Sequence, residues 1–178
     1  SISYALAAGN AVVFKPSEYT PAVGVWLAER WREAVPEHPV LQVVTGDGRT
    51  GAALCVAGVD KLAFTGSTAT GKRVMAACAQ TLTPVVIEAG GKDALIVAAD
   101  ADLDAAARAA VFGGFGNAGQ TCAGVERVYV VESVYDDFLR RVAGHTAAVA
   151  PGAEETARYG PMTTPTQADV VRGHIADA

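Results

Sequence analysis

The stretch FTGSTATGKR, residues 64–73, decides how this chain is read. Gly66, four further residues and then Gly71-Lys72 match the spacing of a nucleoside-triphosphate loop in all but its last letter. That loop continues with Ser or Thr, whose hydroxyl holds magnesium; here the next residue is Arg73. Without that hydroxyl, magnesium-bound triphosphate chemistry loses a ligand. A strand, a Gly turn and a helix still suit an anion, because a helix N-terminus offers free N–H groups and the positive end of its dipole. Three readings stay open on this stretch alone: a triphosphate loop, the pyrophosphate turn of a dinucleotide fold, or a turn without a ligand.

Outward from this stretch, short β-rich runs alternate with helix-period runs. AVVF (11–14), VLQVVT (40–45), KLAFT (61–65) and PVVIEA (84–89) read as strands. Helices are expected from Pro21 to about Ala34, around 50–57 and over 68–80. In the first, Val23, Leu27, Trp31 and Ala34 share one face. Alternation of this kind implies parallel βαβ units. GGK (90–92) interrupts the pattern, and the domain boundary is placed there. Strand ALIV (94–97), a helix from DADLDAAARAAVFGGF, the Gly-rich loop GNAGQTCAG (116–124) and strand RVYVV (127–131) follow. Ser133 is expected to cap a helix with Val134, Phe138, Leu139 and Val142 inward. The stretch 150–163 is rich in turn residues, and Pro165 or Thr166 starts a last helix.

Composition narrows the class. At 51% hydrophobic and 19% charged, the 178 residues suit a soluble globular protein. The net charge is −5 with scattered basic residues, which argues against a nucleic-acid surface. No apolar run approaches the ~20 residues of a membrane span. Cys55, Cys78 and Cys122 lack C-x-x-C spacing, so neither a disulfide framework nor a metal site is expected, and a reducing, cytoplasmic setting fits. Ser1 is not a start methionine and helical pattern runs to Ala178. The chain therefore reads as an internal segment of a longer protein, with targeting signals beyond judgement.

Other residues carry candidate chemistry. Cys122, in NAGQTCAG, is flanked by small residues that leave a sulfur open to solvent, so it is either a nucleophile or a structural cysteine. Cys55 and Cys78 stand inside apolar runs and read as small core residues. Glu88 ends an apolar strand before two glycines; it is either solvated or a partly desolvated general base at the ligand-binding edge of an α/β sheet. Lys15 and Glu18 follow the first strand at the same edge, as an exposed charged loop or as a grip on ribose hydroxyls. His38, His145 and His174 have no partner at ligand spacing and are assigned to the surface.

Five stretches together resemble one family. ALAAGNAVVFKPSEYTP, VVTGDG, DKLAFTGSTATGKRVM, VVIEAGGKDALIV and NAGQTCAG look like consecutive landmarks of the NAD(P)-dependent aldehyde dehydrogenases, in that family's order. The resemblance covers essentially the whole chain and implies a central fragment of a full-length member. It implies an α/β fold in which a Rossmann-like parallel sheet, the C-terminal half of a dinucleotide-binding domain over residues 1–90, precedes the start of an α/β catalytic domain over 91–178. It further implies that Cys122 attacks an aldehyde and that Glu88 activates the water that hydrolyses the resulting thioester. Lys15 and Glu18 would hold the adenosine ribose, and Gly66 and Ser67 would lie beside the pyrophosphate. NAD is the expected cofactor, NADP being disfavoured by Glu18. A small aldehyde is the expected substrate, and the intact parent is expected to be a homo-oligomer without nucleic-acid or membrane partners. The rival reading is a non-catalytic nucleotide-binding or interaction module.

Overall fold

A computed structural model describes residues 1–155 and 157–177. It divides into two compact units, Ser1–Ala89 and Gly90–Ala178.

The first unit contains two βαβ crossovers. Strand β1 (Val12–Phe14) leads through helix α2 (Pro21–Ala34) to β2 (Leu41–Val43), which pairs with β1 in parallel. Strand β3 (Leu62–Thr65) leads through α4 (Thr68–Ala79) to β4 (Val85–Glu88), again parallel, with Thr65 opposite Glu88. Helix α3 (Gly48–Cys55) joins the two crossovers, and Asp47 caps it by accepting the Arg49 N–H. Among the described residues the expected parallel units are present, but as separate strand pairs with no ladder between β2 and β3. Helix α1 (Ile2–Ala7) has no counterpart in the sequence reading.

Close approach decides which face of α2 is buried. Gly24 and Ala28 point inward, whereas Val23 and Leu27, expected on the inner face, are exposed. A Cβ on Gly24 would stand 2.7 Å from Pro16 Cβ and 2.9 Å from Phe14 Cε1. The helix lies so near β1 and its following turn that only small side chains fit between them. Cys55 of α3 and Cys78 of α4 are buried together, with Cys78 Sγ 3.8 Å from the Cys55 carbonyl oxygen. They fill the seam between α3 and α4 as small apolar residues. Burial, reinforced by the neighbouring Cys78, pushes the Cys55 thiol above its ordinary pKa.

In the second unit, β5 (Asp93–Val97) and β6 (Val125–Val130) form a parallel pair connected through α5 (Leu103–Phe115). Asp102 caps α5, accepting from the N–H groups of Asp104 and Ala105. Helix α6 (Tyr135–Ala147) packs along α5, and α7 (Pro165–Asp177) closes the described residues. Val97, Ala107, Ala110 and Phe138 form the core, with Leu95, Val130 and Val142 against it. Two expectations are corrected here. Ser133 does not cap α6: it lies within a 3₁₀ turn, Glu132–Val134, which places the N-cap at Val134 without a side-chain bond. Leu139 is half exposed, because the inward stripe of α6 follows Phe138 and Val142.

Candidate active site

In the first unit the candidate residues collect at the carboxyl ends of the strands. Lys15 follows β1 directly, and its largely buried side chain donates from Nζ to the Pro16 carbonyl at 2.9 Å. The same ammonium stands 3.5 Å from the more exposed Glu18 carboxylate. The turn 15–18 therefore presents a fixed cation beside an acceptor-rich anion.

Gly66, Ser67 and Glu88 meet at the ends of β3 and β4. The Gly66 N–H donates to the Glu88 carbonyl at 3.0 Å, which continues the ladder one step past Thr65. Any side chain on Gly66 would run into the Phe64 ring, 2.5 Å from its Cζ. Ser67 is the N-cap of α4, its Oγ accepting the Thr70 N–H at 3.2 Å. The remaining first-turn amides and the helix dipole favour an anion there. The Glu88 side chain is exposed at the strand end.

The other letters of the opening motif have different uses. Gly71 is buried, and a Cβ on it would lie 3.1 Å from Ile87 Cγ2, so this glycine lets α4 sit close against β4. Lys72 is exposed on α4. Arg73 reaches back to the Thr70 hydroxyl at 3.2 Å. The second glycine of the apparent triphosphate loop is thus a packing residue.

In the second unit, Cys122 is exposed on the loop between α5 and β6. The loop begins with a 3₁₀ turn, Gly116–Gly119, in which Asn117 (φ 53°) and Ala118 (φ 57°) adopt left-handed conformations. Non-glycine residues take that region rarely, and local bonds hold them here. Asn117 Nδ2 donates to the Gln120 carbonyl and Gln120 Nε2 donates to the Asn117 carbonyl, both at 3.0 Å. Gln120 Oε1 also accepts the Thr163 N–H at 2.9 Å. Two glycines seat the loop: a Cβ on Gly113 would meet Val125 Cγ2 at 2.6 Å, and one on Gly124 would meet the Gly113 carbonyl at 3.1 Å. The end of α5 can therefore press on the start of β6.

Sequence reasoning passed over Asn117 and Gln120, although both lie in the stretch quoted for Cys122. It also assigns His145 to the surface with no partner at ligand spacing. His145 is half-buried, with Nε2 2.9 Å from Asp104 Oδ1. Among the described residues, no helix is long and apolar enough to cross a membrane.

This chain belongs to the aldehyde dehydrogenase family, whose family model matches residues 1–178. It is 44% identical to a mitochondrial aldehyde dehydrogenase of Leishmania tarentolae, over 99% of this chain and 36% of that protein. It is 41% identical to a 4,4'-diapolycopene aldehyde oxidase of a Methylomonas species, over 98% of this chain and 33% of that one. The crystal structure of an NAD-dependent aldehyde dehydrogenase from Sinorhizobium meliloti superposes with a TM-score of 0.92 at 37% identity, over 98% of this chain and 36% of that chain. The chain spans about a third of the length of the curated relatives it matches.

Proposed function

We propose that the protein containing this chain oxidises an aldehyde to a carboxylic acid with NAD as the hydride acceptor. The observation that carries the reading is the exposed thiol of Cys122, on a tightly bonded loop in a chain of this family. The Cys122 sulfur adds to the aldehyde carbon and gives a thiohemiacetal. The backbone N–H of Cys122 donates to the oxygen on which charge develops. The nicotinamide, when bound, supplies the acceptor for the hydride whose loss leaves a thioester on Cys122. Glu88 takes a proton from water, the water attacks the thioester carbonyl, and the acid departs as the Cys122 sulfur is released.

The residues present fit a dinucleotide. Lys15 and Glu18 offer a donor and an acceptor suited to ribose hydroxyls. Gly66 and the Ser67-capped start of α4 suit a pyrophosphate. Glu18 would stand against an added 2′-phosphate, which supports NAD over NADP. A base at Glu88 supports hydrolysis to the acid over transfer of the acyl group to a thiol acceptor.

The test is transient kinetics on the full-length parent with an aldehyde. Cys122→Ala should abolish NADH formation. Glu88→Gln should keep the first-turnover burst and slow the steady state, and an unchanged steady-state rate would sink the base assignment.

A further inference from the structure

Gln120 stands two residues before Cys122, and its side chain has two partners of opposite character. The Asn117 carbonyl can only accept, and it takes both the Gln120 backbone N–H at 3.1 Å and Nε2 at 3.0 Å. The Thr163 backbone N–H can only donate, and it reaches Oε1 at 2.9 Å. Turning the amide over would break both side-chain bonds, so the two partners fix its orientation. The Nε2 side closes the turn on itself together with the Asn117 side chain. The Oε1 side does something else: it ties the turn to the segment just before α7, 43 residues away in sequence.

We propose that Gln120 is a positioning residue, whose amide fastens the Cys122 loop to the Thr163 segment and so sets where the thiol stands. This rests on the aldehyde-oxidation reading for its catalytic consequence, although the tether itself does not. Cys122 follows the tethered residue with only Thr121 between them, so slack in the tether passes directly to the sulfur. A reacting group displaced by about 1 Å can cost on the order of 10²-fold in rate.

The test uses the full-length parent and two variants. Gln120→Met keeps the length and loses both polar ends. Thr163→Pro leaves the Gln120 side chain intact and removes only the N–H that Oε1 accepts. The readouts are the NADH burst rate, the NAD KM, and the rate at which iodoacetamide alkylates Cys122, followed by mass spectrometry and taken at its pH-independent plateau. That plateau removes differences in thiol ionisation. The expected result for Gln120→Met is a burst slowed on the order of 10–10²-fold, an altered alkylation plateau and an unchanged NAD KM, with a loss of the same kind in Thr163→Pro. A wild-type burst in either variant overturns the proposal. If Gln120→Met does not fold, Thr163→Pro removes the same N–H from the other side and must reproduce the slow burst, or the tether is refuted. If the wild type gives no Cys122-dependent burst, the aldehyde-oxidation reading fails. The alkylation contrast then decides the tether alone: a change in Gln120→Met upholds it and no change overturns it.

Discussion

His145 Nε2 lies 2.9 Å from Asp104 Oδ1, and this contact joins the last turn of α6 to the first turn of α5. Arg108 binds the same carboxylate, and Arg141 stands 4.0 Å from it. The His145 hydrogen bond is the largest influence holding the Asp104 carboxyl below its ordinary range; partial desolvation opposes it, and the charges of Arg108 and His145 add to it. A carboxyl lowered by folding contributes stability above its unfolded value of about 3.9. That contribution is lost as pH falls through the folded value. Urea midpoints followed from neutral pH into acid should therefore fall less steeply in Asp104→Asn than in the wild type. A carboxyl-carbon titration of Asp104 centred at or above about 3.9 would refute the assignment.

Gly24→Ala tests the close contact between α2 and the turn after β1. Alanine favours a helix interior over glycine by about 1 kcal/mol. Here the new methyl would meet Pro16 at 2.7 Å and Phe14 at 2.9 Å, both of them ring atoms with little room to yield. Overpacking of this kind costs roughly 1–3 kcal/mol, so the net expectation is destabilisation. A raised denaturation midpoint would show that the helix can move away at little cost.

Adjacent residues of α6 should behave differently. Phe138 is 5% exposed and belongs to the core, whereas Leu139 is 50% exposed. Phe138→Ala is expected to cost about 3–5 kcal/mol, and Leu139→Ala to stay within roughly 0.5 kcal/mol. Equal losses in chemical denaturation would return Leu139 to the inner face.

Glu18→Gln probes the choice of cofactor in the parent protein. Removing the charge while keeping the side-chain length should strengthen NADP binding and leave NAD binding little changed. Calorimetric affinities for the two dinucleotides give the ratio. No rise in relative NADP affinity would detach Glu18 from the ribose.

What could be read in the sequence was local. A β-rich run ending just before Lys15, a run ending before Gly66 and a run ending at Glu88 each announced a strand end, and the structure puts those residues there. The helix expected over 68–80 is there as α4, capped by Ser67. The features that escaped depend on tertiary distance. Nothing in the pattern of α2 shows that Gly24 must face inward, because the reason lies in Pro16 and Phe14. The bond from Thr163 to Gln120 and the contact of His145 with Asp104 join residues far apart in the chain, where periodicity carries no signal. Helix α1 was missed because Ile2–Ala7 is too short to develop a periodic face.

The unequal burial of the three thiols turns the chain into its own unfolding gauge. Cys122 is exposed, while Cys55 and Cys78 are sealed in the seam between α3 and α4. A thiol reagent applied to the native chain should consume one equivalent quickly, and the other two only as the seam opens. The slow phase then times the parting of α3 from α4 in the first unit, with no engineered label required.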